Sequence, residues 1–180
     1  MPSWRAGSNE VMPSELIVRE ERPSDVAAIF AVHAAAFPSD AEARLVDALR
    51  AADHLSVSLV AELDGEVVGH ASFSPVTLGG AHGGLGLAPV SVRDSARQQG
   101  VAAALIRDGL ARCEQSGADF AVVLGDPAYY GRFGFKAAAL RQLQGEYGGG
   151  AAFQVLEFRA DALPAAGGLV KYAPAFEELE

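Results

Sequence analysis

The chain has 180 residues, half of them apolar and 21% charged, a composition that fits one globular domain large enough for a real core. Its formal charge of −9 argues against nucleic acid as a partner, because phosphate backbones are gripped by basic faces. A lone cysteine excludes an internal disulfide and suits a reducing cytoplasm, no apolar run approaches a membrane span, and residues 1–10 carry no signal core.

Residues 1–14 are polar, hold Pro2, Pro13 and Trp4, and read as a loose arm, which leaves 15–180 as one domain. A first strand is expected over 16–19. Pro23-Ser24-Asp25 then opens a helix with Ser24 as N-cap and Val26, Ile29, Phe30 and His33 on one face. Pro38-Ser39 breaks it, and Ser39 caps a second helix with a buried stripe of Leu45, Val46 and Leu49. Residues 54–62 alternate as a strand, Asp64-Gly65 is a hairpin turn, and 66–76 return as the next strand. Five glycines in the eight residues 79–86 read as a flexible loop. A short strand follows over 87–92, with Val90 and Val92 two residues apart.

The next segment is the most informative. After the polar turn Arg93-Asp94-Ser95, Arg97-Gln98-Gln99-Gly100-Val101-Ala102 opens a helix whose apolar residues fall at Ala102, Leu105, Ile106, Gly109, Leu110 and Cys113. A strand feeding a glycine turn at a helix N-terminus suits a phosphate, because free backbone N–H groups and the positive end of the helix dipole point at it. Gly100 is followed by Val101 and Ala102 rather than a Lys-Ser or Lys-Thr pair, so this is no P-loop. A dinucleotide fingerprint would need three glycines, and only Gly100 is present. A second strand is expected over 119–124, a further strand near 135–140, a glycine turn at 148–150, a strand over 153–158, and a short strand at 169–172. The order fits one mixed sheet covered by helices on both faces.

Arg97-x-x-Gly100-x-Ala102 resembles the acetyl-CoA signature of the GCN5-related N-acetyltransferase (GNAT) superfamily. The run Gly125-Asp126-Pro127-Ala128-Tyr129-Tyr130-Gly131-Arg132-Phe133-Gly134-Phe135 contains, over residues 129–135, a segment similar to the Tyr-x-x-x-Gly-Phe element that closes that family's cofactor site. With Tyr172-x-Pro174-x-Phe176, it resembles a bacterial subgroup. The likeness covers roughly residues 16–158, and its one departure is Ala102 in place of a second glycine. It implies an α/β domain with a sheet of about six to seven strands, whose parallel strands 87–92 and 120–124 splay apart to admit the pantetheine arm.

The resemblance further implies acetyl-CoA held by Val90, Ser91, Val92, Arg97, Gln98, Gln99, Gly100, Val101, Ala102 and Ala103. It places Tyr130 as the acid that protonates the leaving thiolate. Tyr129 is the alternative, because adjacent helical residues point about 100° apart and only one can reach the sulfur. A protonated amine has a pKa of about 10.4 and must lose a proton before it attacks. His70, on a strand with Val68, Ser72 and Ser74, is a candidate base, while His33 on an apolar stripe reads as a buried histidine. Glu42, beside the Phe37-Pro38 break, is a candidate for binding a substrate cation, against the alternative of a solvated helix-start carboxylate. Cys113 reads as a small buried hydrophobe. The four histidines are scattered, so no metal is expected. The expected partner is a small-molecule or peptide amine, favoured as a cation by the net charge, without nucleic acid or membrane, and a homodimer stays open. A turnover-dead acyl-CoA-binding module is the rival to an enzyme.

Overall fold

The structure is a computed structural model and describes residues 14–179. The arm expected over residues 1–14 lies, apart from Ser14, outside the described residues. The elements in chain order are β1 (Leu16–Glu20), α1 (Val26–Ala36), α2 (Ala41–Ala51), β2 (Val57–Leu63), β3 (Glu66–Leu78), β4 (Ala81–Val92) and α3 (Val101–Gln115). They continue with β5 (Phe120–Leu124), α4 (Pro127–Tyr130), β6 (Lys136–Ala137), β7 (Leu143–Gly145), β8 (Phe153–Glu157) and β9 (Gly168–Lys171).

One mixed sheet organises the fold. Seven strands run in the order β1-β2-β3-β4-β5-β8-β6, and the short β9 joins β3 and carries β7. β4–β5 and β7–β9 are parallel, and the other pairs are antiparallel. The two-residue turn Asp64-Gly65, both residues at positive φ, sets the β2–β3 register and joins Leu63 to Glu66 as partners.

Helices cover both faces. On one side α3 lays Val101, Leu105, Ile106, Gly109, Leu110 and Cys113 against Leu59, Ala71, Phe73 and Leu87. Gly109 is required there, since a Cβ at that position would sit 2.3 Å from the Phe73 ring. On the other side α1 and α2 bring Ile29, Val32 and Val46 onto Val60 and Val67. Burial pushes the Cys113 thiol up to about 12, so it is inert packing.

Several sequence expectations are corrected. Residues 79–86 are not a loop: only Gly79 and Gly80 turn, pairing Leu78 with Ala81, and the rest begins β4. Its glycines make room for rings, because a Cβ at Gly84 would lie 2.3 Å from Phe120 and one at Gly86 2.8 Å from Tyr172. Ser24 does not cap the first helix. Pro23–Asp25 form a 3-10 turn, and the Asp25 carboxylate accepts the Arg22 N–H at 2.6 Å while holding Arg19. Asp40 rather than Ser39 precedes α2, although Ser39 Oγ accepts the Ala41 N–H at 3.3 Å. β2 starts at Val57 instead of residue 54. The strand near 135–140 shrinks to Lys136–Ala137 and passes into a 3-10 turn, where an alanine run offers little of the branched surface that strands favour.

Candidate active site

β4 and β5 pair at only three positions, Gly84↔Phe120, Leu85↔Ala121 and Gly86↔Val122. From Leu87 onward the strands part, and the β4 backbone faces an open cleft of about 690 Å³. The cleft wall carries Val90, Ser91 and Val92 from β4 and Arg97, Gln98, Gly100, Val101, Ala102 and Ala103 from the turn and first residues of α3. Gln99 is the exception: its amide reaches the Ser95 carbonyl at 3.1 Å and the residue is exposed, away from the wall.

The turn before α3 is sharp and open. Gln98 and Gly100 sit at φ +60° and +77°, so the chain doubles back sharply before α3 begins. A Cβ at Gly100 would meet nothing within 4 Å, so the position opens onto free space. The first N–H groups of α3 have no helical partner, and Val101, Ala102 and Ala103 line the cleft. Arg97 is bound to Asp94 at 3.1 Å. Arg132 supplies a second cation on the cleft wall and lies over the Tyr129 ring, 5.0 Å from its centroid. Arg132, Ala36 and Phe37 were not singled out from the sequence. Only Arg132 left a signal, as the cation inside Tyr-Gly-Arg-Phe-Gly-Phe.

The two tyrosines diverge as adjacent helical residues should. Tyr129 lines the cleft, and burial pushes its hydroxyl up. Tyr130 packs edge-on to Phe135, 5.9 Å between centroids, and against Gly125, where a Cβ would lie 2.3 Å from the ring. Gly125 directly follows β5, so Tyr130 stands beside the end of the parted strand. Burial raises its hydroxyl as well. Asp126 caps α4 by accepting the Ala128 N–H at 2.9 Å.

His70 does not line the cleft. It is fully buried within a chain of polar groups that crosses one face of the sheet. Ser91 Oγ lies 2.8 Å from His33 Nδ1, His33 Nε2 lies 2.8 Å from His70 Nδ1, and His70 Nε2 lies 2.8 Å from Ser58 Oγ. Ser58 donates to Glu21, which Arg50 also grips at 2.5 and 3.2 Å. Burial would raise the Glu21 carboxyl, but the neighbouring His70 ring and the hydrogen bonds from Arg50 and Ser58 hold it well below the usual carboxylate range. Glu21 Oε2 is 3.6 Å from His70 Nε2, so the closer Ser58 hydroxyl takes that N–H. Burial, with His70 and Arg50 nearby, lowers the His33 imidazole to about 3, and burial also lowers that of His70. Both rings are therefore neutral near pH 7. Ser58 and Glu21 gave no sequence signal, since each is unremarkable alone.

Glu42 sits in the first turn of α2 with Oε2 buried and without a hydrogen-bond partner among the described residues. It is not on the cleft wall. A second cavity, about 310 Å³, is lined by Leu87, Leu124, Tyr147, Tyr172, Phe176 and Leu179. Among the described residues, no group of three or more His, Cys, Asp or Glu could hold a metal, and no helix is long and apolar enough to cross a membrane.

The family model described as an acetyltransferase (GNAT) domain matches residues 18–138. An uncharacterized N-acetyltransferase of Escherichia coli K12, YhbS, is 42% identical over 160 residues, covering 87% of this chain and 96% of that protein. The crystal structure of E. coli YhbS in complex with CoA superposes with a TM-score of 0.87 at 41% identity, covering 91% and 93% of the two chains. A GNAT family acetyltransferase from Brucella melitensis in complex with acetyl-CoA gives 0.77 at 45% identity, covering 90% and 98%.

Proposed function

The chain belongs to the GNAT acetyltransferase family, and on that premise we propose that it transfers an acetyl group from acetyl-CoA to a primary amine by direct attack in a ternary complex. The observation that carries this reading is the parting of β4 from β5 after three paired residues, which leaves a strand edge facing a cleft with a helix N-terminus at its end. Pantetheine would lie along Val90–Val92, and the pyrophosphate would meet the N–H groups of Val101, Ala102 and Ala103 with Arg97, Gln98 and Arg132 around it. Relatives at 41% and 45% identity were crystallised with CoA and acetyl-CoA, which supports the same ligand here.

In the reaction the neutral amine attacks the thioester carbon, the C–N bond forms and the C–S bond breaks. The unpaired β4 edge offers N–H groups to the developing oxyanion. Tyr130, beside the end of β5, is the proposed acid for the leaving thiolate, and Tyr129 on the cleft wall is its rival. The single sheet supports residues 15–180 acting as one catalytic domain, and the buried lone thiol suits work in the cytoplasm.

Calorimetry of Gly100→Val with CoA tests the cofactor site. Valine cannot hold φ +77° and would intrude on the open space, so affinity should collapse, whereas unchanged affinity would place the cofactor elsewhere. For the acid, Tyr130→Phe should lower kcat about 10²–10⁴-fold with little change in acetyl-CoA affinity. An unchanged kcat there, with a large drop in Tyr129→Phe, would move the role to the neighbour.

A further inference from the structure

Two of the five exposed large hydrophobic side chains among the described residues, Leu124 and Leu179, line the same cavity. Tyr147, Tyr172 and Phe176 form its aromatic wall, with ring centroids 5.8 Å and 5.0 Å apart in succession. The remaining side matters most. Leu87 is the first β4 residue past the last β4–β5 pair, and Leu124 is the last residue of β5. The cavity therefore borders the strand gap, where the thioester end of the cofactor would emerge. The lining is apolar apart from the two tyrosine hydroxyls.

We propose, building on the acetyltransferase reading, that the acceptor is a small primary amine carried on an aromatic group, seated in this cavity with its nitrogen at the strand gap. At about 310 Å³ the cavity is at the low end for ligand pockets, which suits a single ring system. An apolar wall disfavours the ammonium form, so the bound amine titrates below its solution value of about 10.4 and more of it is nucleophilic. The amine lone pair forms the C–N bond, the C–S bond breaks, and the proton given up by nitrogen is matched by the one taken up on sulfur. Net charge attracts cations in general, but this wall selects among them. Polyamines, which carry charge along their length, would leave the rings uncovered.

The test compares phenethylamine and tryptamine with spermidine and a lysine peptide as acceptors, reading free CoA, and measures phenethylamine binding to the CoA complex by calorimetry. The aromatic amines should exceed spermidine in kcat/KM by about tenfold or more, the ratio expected for about 1.4 kcal/mol of buried apolar contact. Leu179→Lys, at a residue exposed enough to accept charge without unfolding, should erase that preference and leave CoA affinity unchanged. Spermidine or the peptide matching the aromatic amines would overturn the proposal. Tight phenethylamine binding without turnover would instead overturn the acetyltransferase reading and keep the pocket.

The buried polar chain carries a second inference independently. An ionised carboxylate only accepts, so the single Ser58 proton points to Glu21 and Ser58 Oγ must receive the N–H of His70. A neutral His70 then has a bare Nδ1, which takes the Nε2–H of His33, and the bare Nδ1 of His33 takes the Ser91 hydroxyl proton. We infer that this one-way chain, anchored by Glu21 and Arg50, leaves Ser91 Oγ only lone pairs to offer the cleft, where it accepts an N–H or O–H of the pantetheine arm. Glu21, held in the ionised form by Arg50 and Ser58, is a poor final acceptor for a proton, so the chain orients Ser91 rather than carrying protons away. Ser58, His70 and His33 are positioning residues.

This inference also rests on the cofactor reading, and two ligands separate them: CoA, and the phosphorylated ADP portion of CoA without the pantetheine arm. Ser91→Ala should weaken CoA about 2- to 12-fold, the range for one hydrogen bond, and leave the armless nucleotide unchanged. Glu21→Gln, whose amide can reverse the chain, should show the same selective loss from the far end of the chain. Ser91→Thr should restore binding. Equal losses for both ligands, or none, would overturn the chain's role. Failure of the parent protein to bind either ligand would overturn the cofactor reading itself.

Discussion

The two faces of the central sheet are made from alternate residues of the same strands, yet they follow different rules. Toward α3, Leu59, Ala71, Phe73, Leu87 and Val92 meet Val101, Leu105 and Ile106 with no polar side chain between them. Toward α1, the interleaved His70, Ser72, Ser74 and Ser91 are buried and Ser58 is half-buried, and Ser58, His70 and Ser91 belong to the hydrogen-bonded chain. Burying a polar group without a partner costs about 1–3 kcal/mol, whereas the apolar face gains from every contact. One face therefore holds the fold, and the other gives up some of that gain to place oriented groups behind the cleft.

The largest way to test the contrast is to damage the face that holds the fold. Phe73 is fully buried and fills the notch over Gly109, so Phe73→Ala should cost about 3–5 kcal/mol in urea unfolding. The folded fraction should still bind CoA with parental affinity, because no Phe73 atom reaches the cleft wall. Loss of affinity beyond the unfolded fraction would show that the two faces are coupled.

Acid should act on the other face. The folded His33 titrates near 3 and the unfolded residue near 6.5, so between those values the unfolded chain binds the extra proton. Stability is then fully present above about pH 6.5 and falls as pH drops toward 3, by about 1.4 kcal/mol per pH unit for each such histidine. His70, lowered by its own burial, adds to the fall, and Glu21 adds to it below its unfolded value of about 4.5. His33→Asn should flatten the slope between pH 6 and 4 by about one proton, while Phe73→Leu lowers stability but leaves the slope alone. An unchanged slope in His33→Asn would mean that the imidazole is not held neutral.

What could be read from the sequence divides along the same line. The α3 stripe, the Gly100 turn and the Asp64-Gly65 hairpin were legible because each is local: a helical period, a glycine at positive φ, a two-residue turn. The splayed strands came from family resemblance, since separation between strands leaves no mark on either one. Residues 79–86 were misread because glycine signals both flexibility and close packing, and only the positions of Phe120 and Tyr172 decide between them. The polar chain was invisible for a stronger reason. Glu21, His33, Ser58, His70 and Ser91 come from α1, three strands and the loop after β1, and their meaning lies in distances of about 2.8 Å that no spacing encodes. The alternation that makes His70 a candidate base in the sequence turns it, in the structure, toward His33 of α1.

Ser72 and Ser74 sharpen the comparison at smaller scale, since they share the α1 face but not its hydrogen bonds. Ser72 Oγ donates to the Ala88 carbonyl at 2.9 Å, next to the point where β4 leaves β5, and Ser72→Ala should cost about 1 kcal/mol.

Ser74 differs, because its hydroxyl is buried and finds no hydrogen-bond partner among the described residues. Removing an unsatisfied buried hydroxyl takes away a desolvation cost and no bond, so Ser74→Ala should be neutral or stabilising by a few tenths of a kcal/mol. The same urea unfolding series measures both serines, and their difference cancels most errors of the unfolded reference. A loss at Ser74→Ala equal to that at Ser72→Ala would reveal a partner for the hydroxyl, such as an ordered water. The α1 face would then be hydrogen-bonded throughout, and its contrast with the apolar face would be one of chemistry alone, with no stability given up.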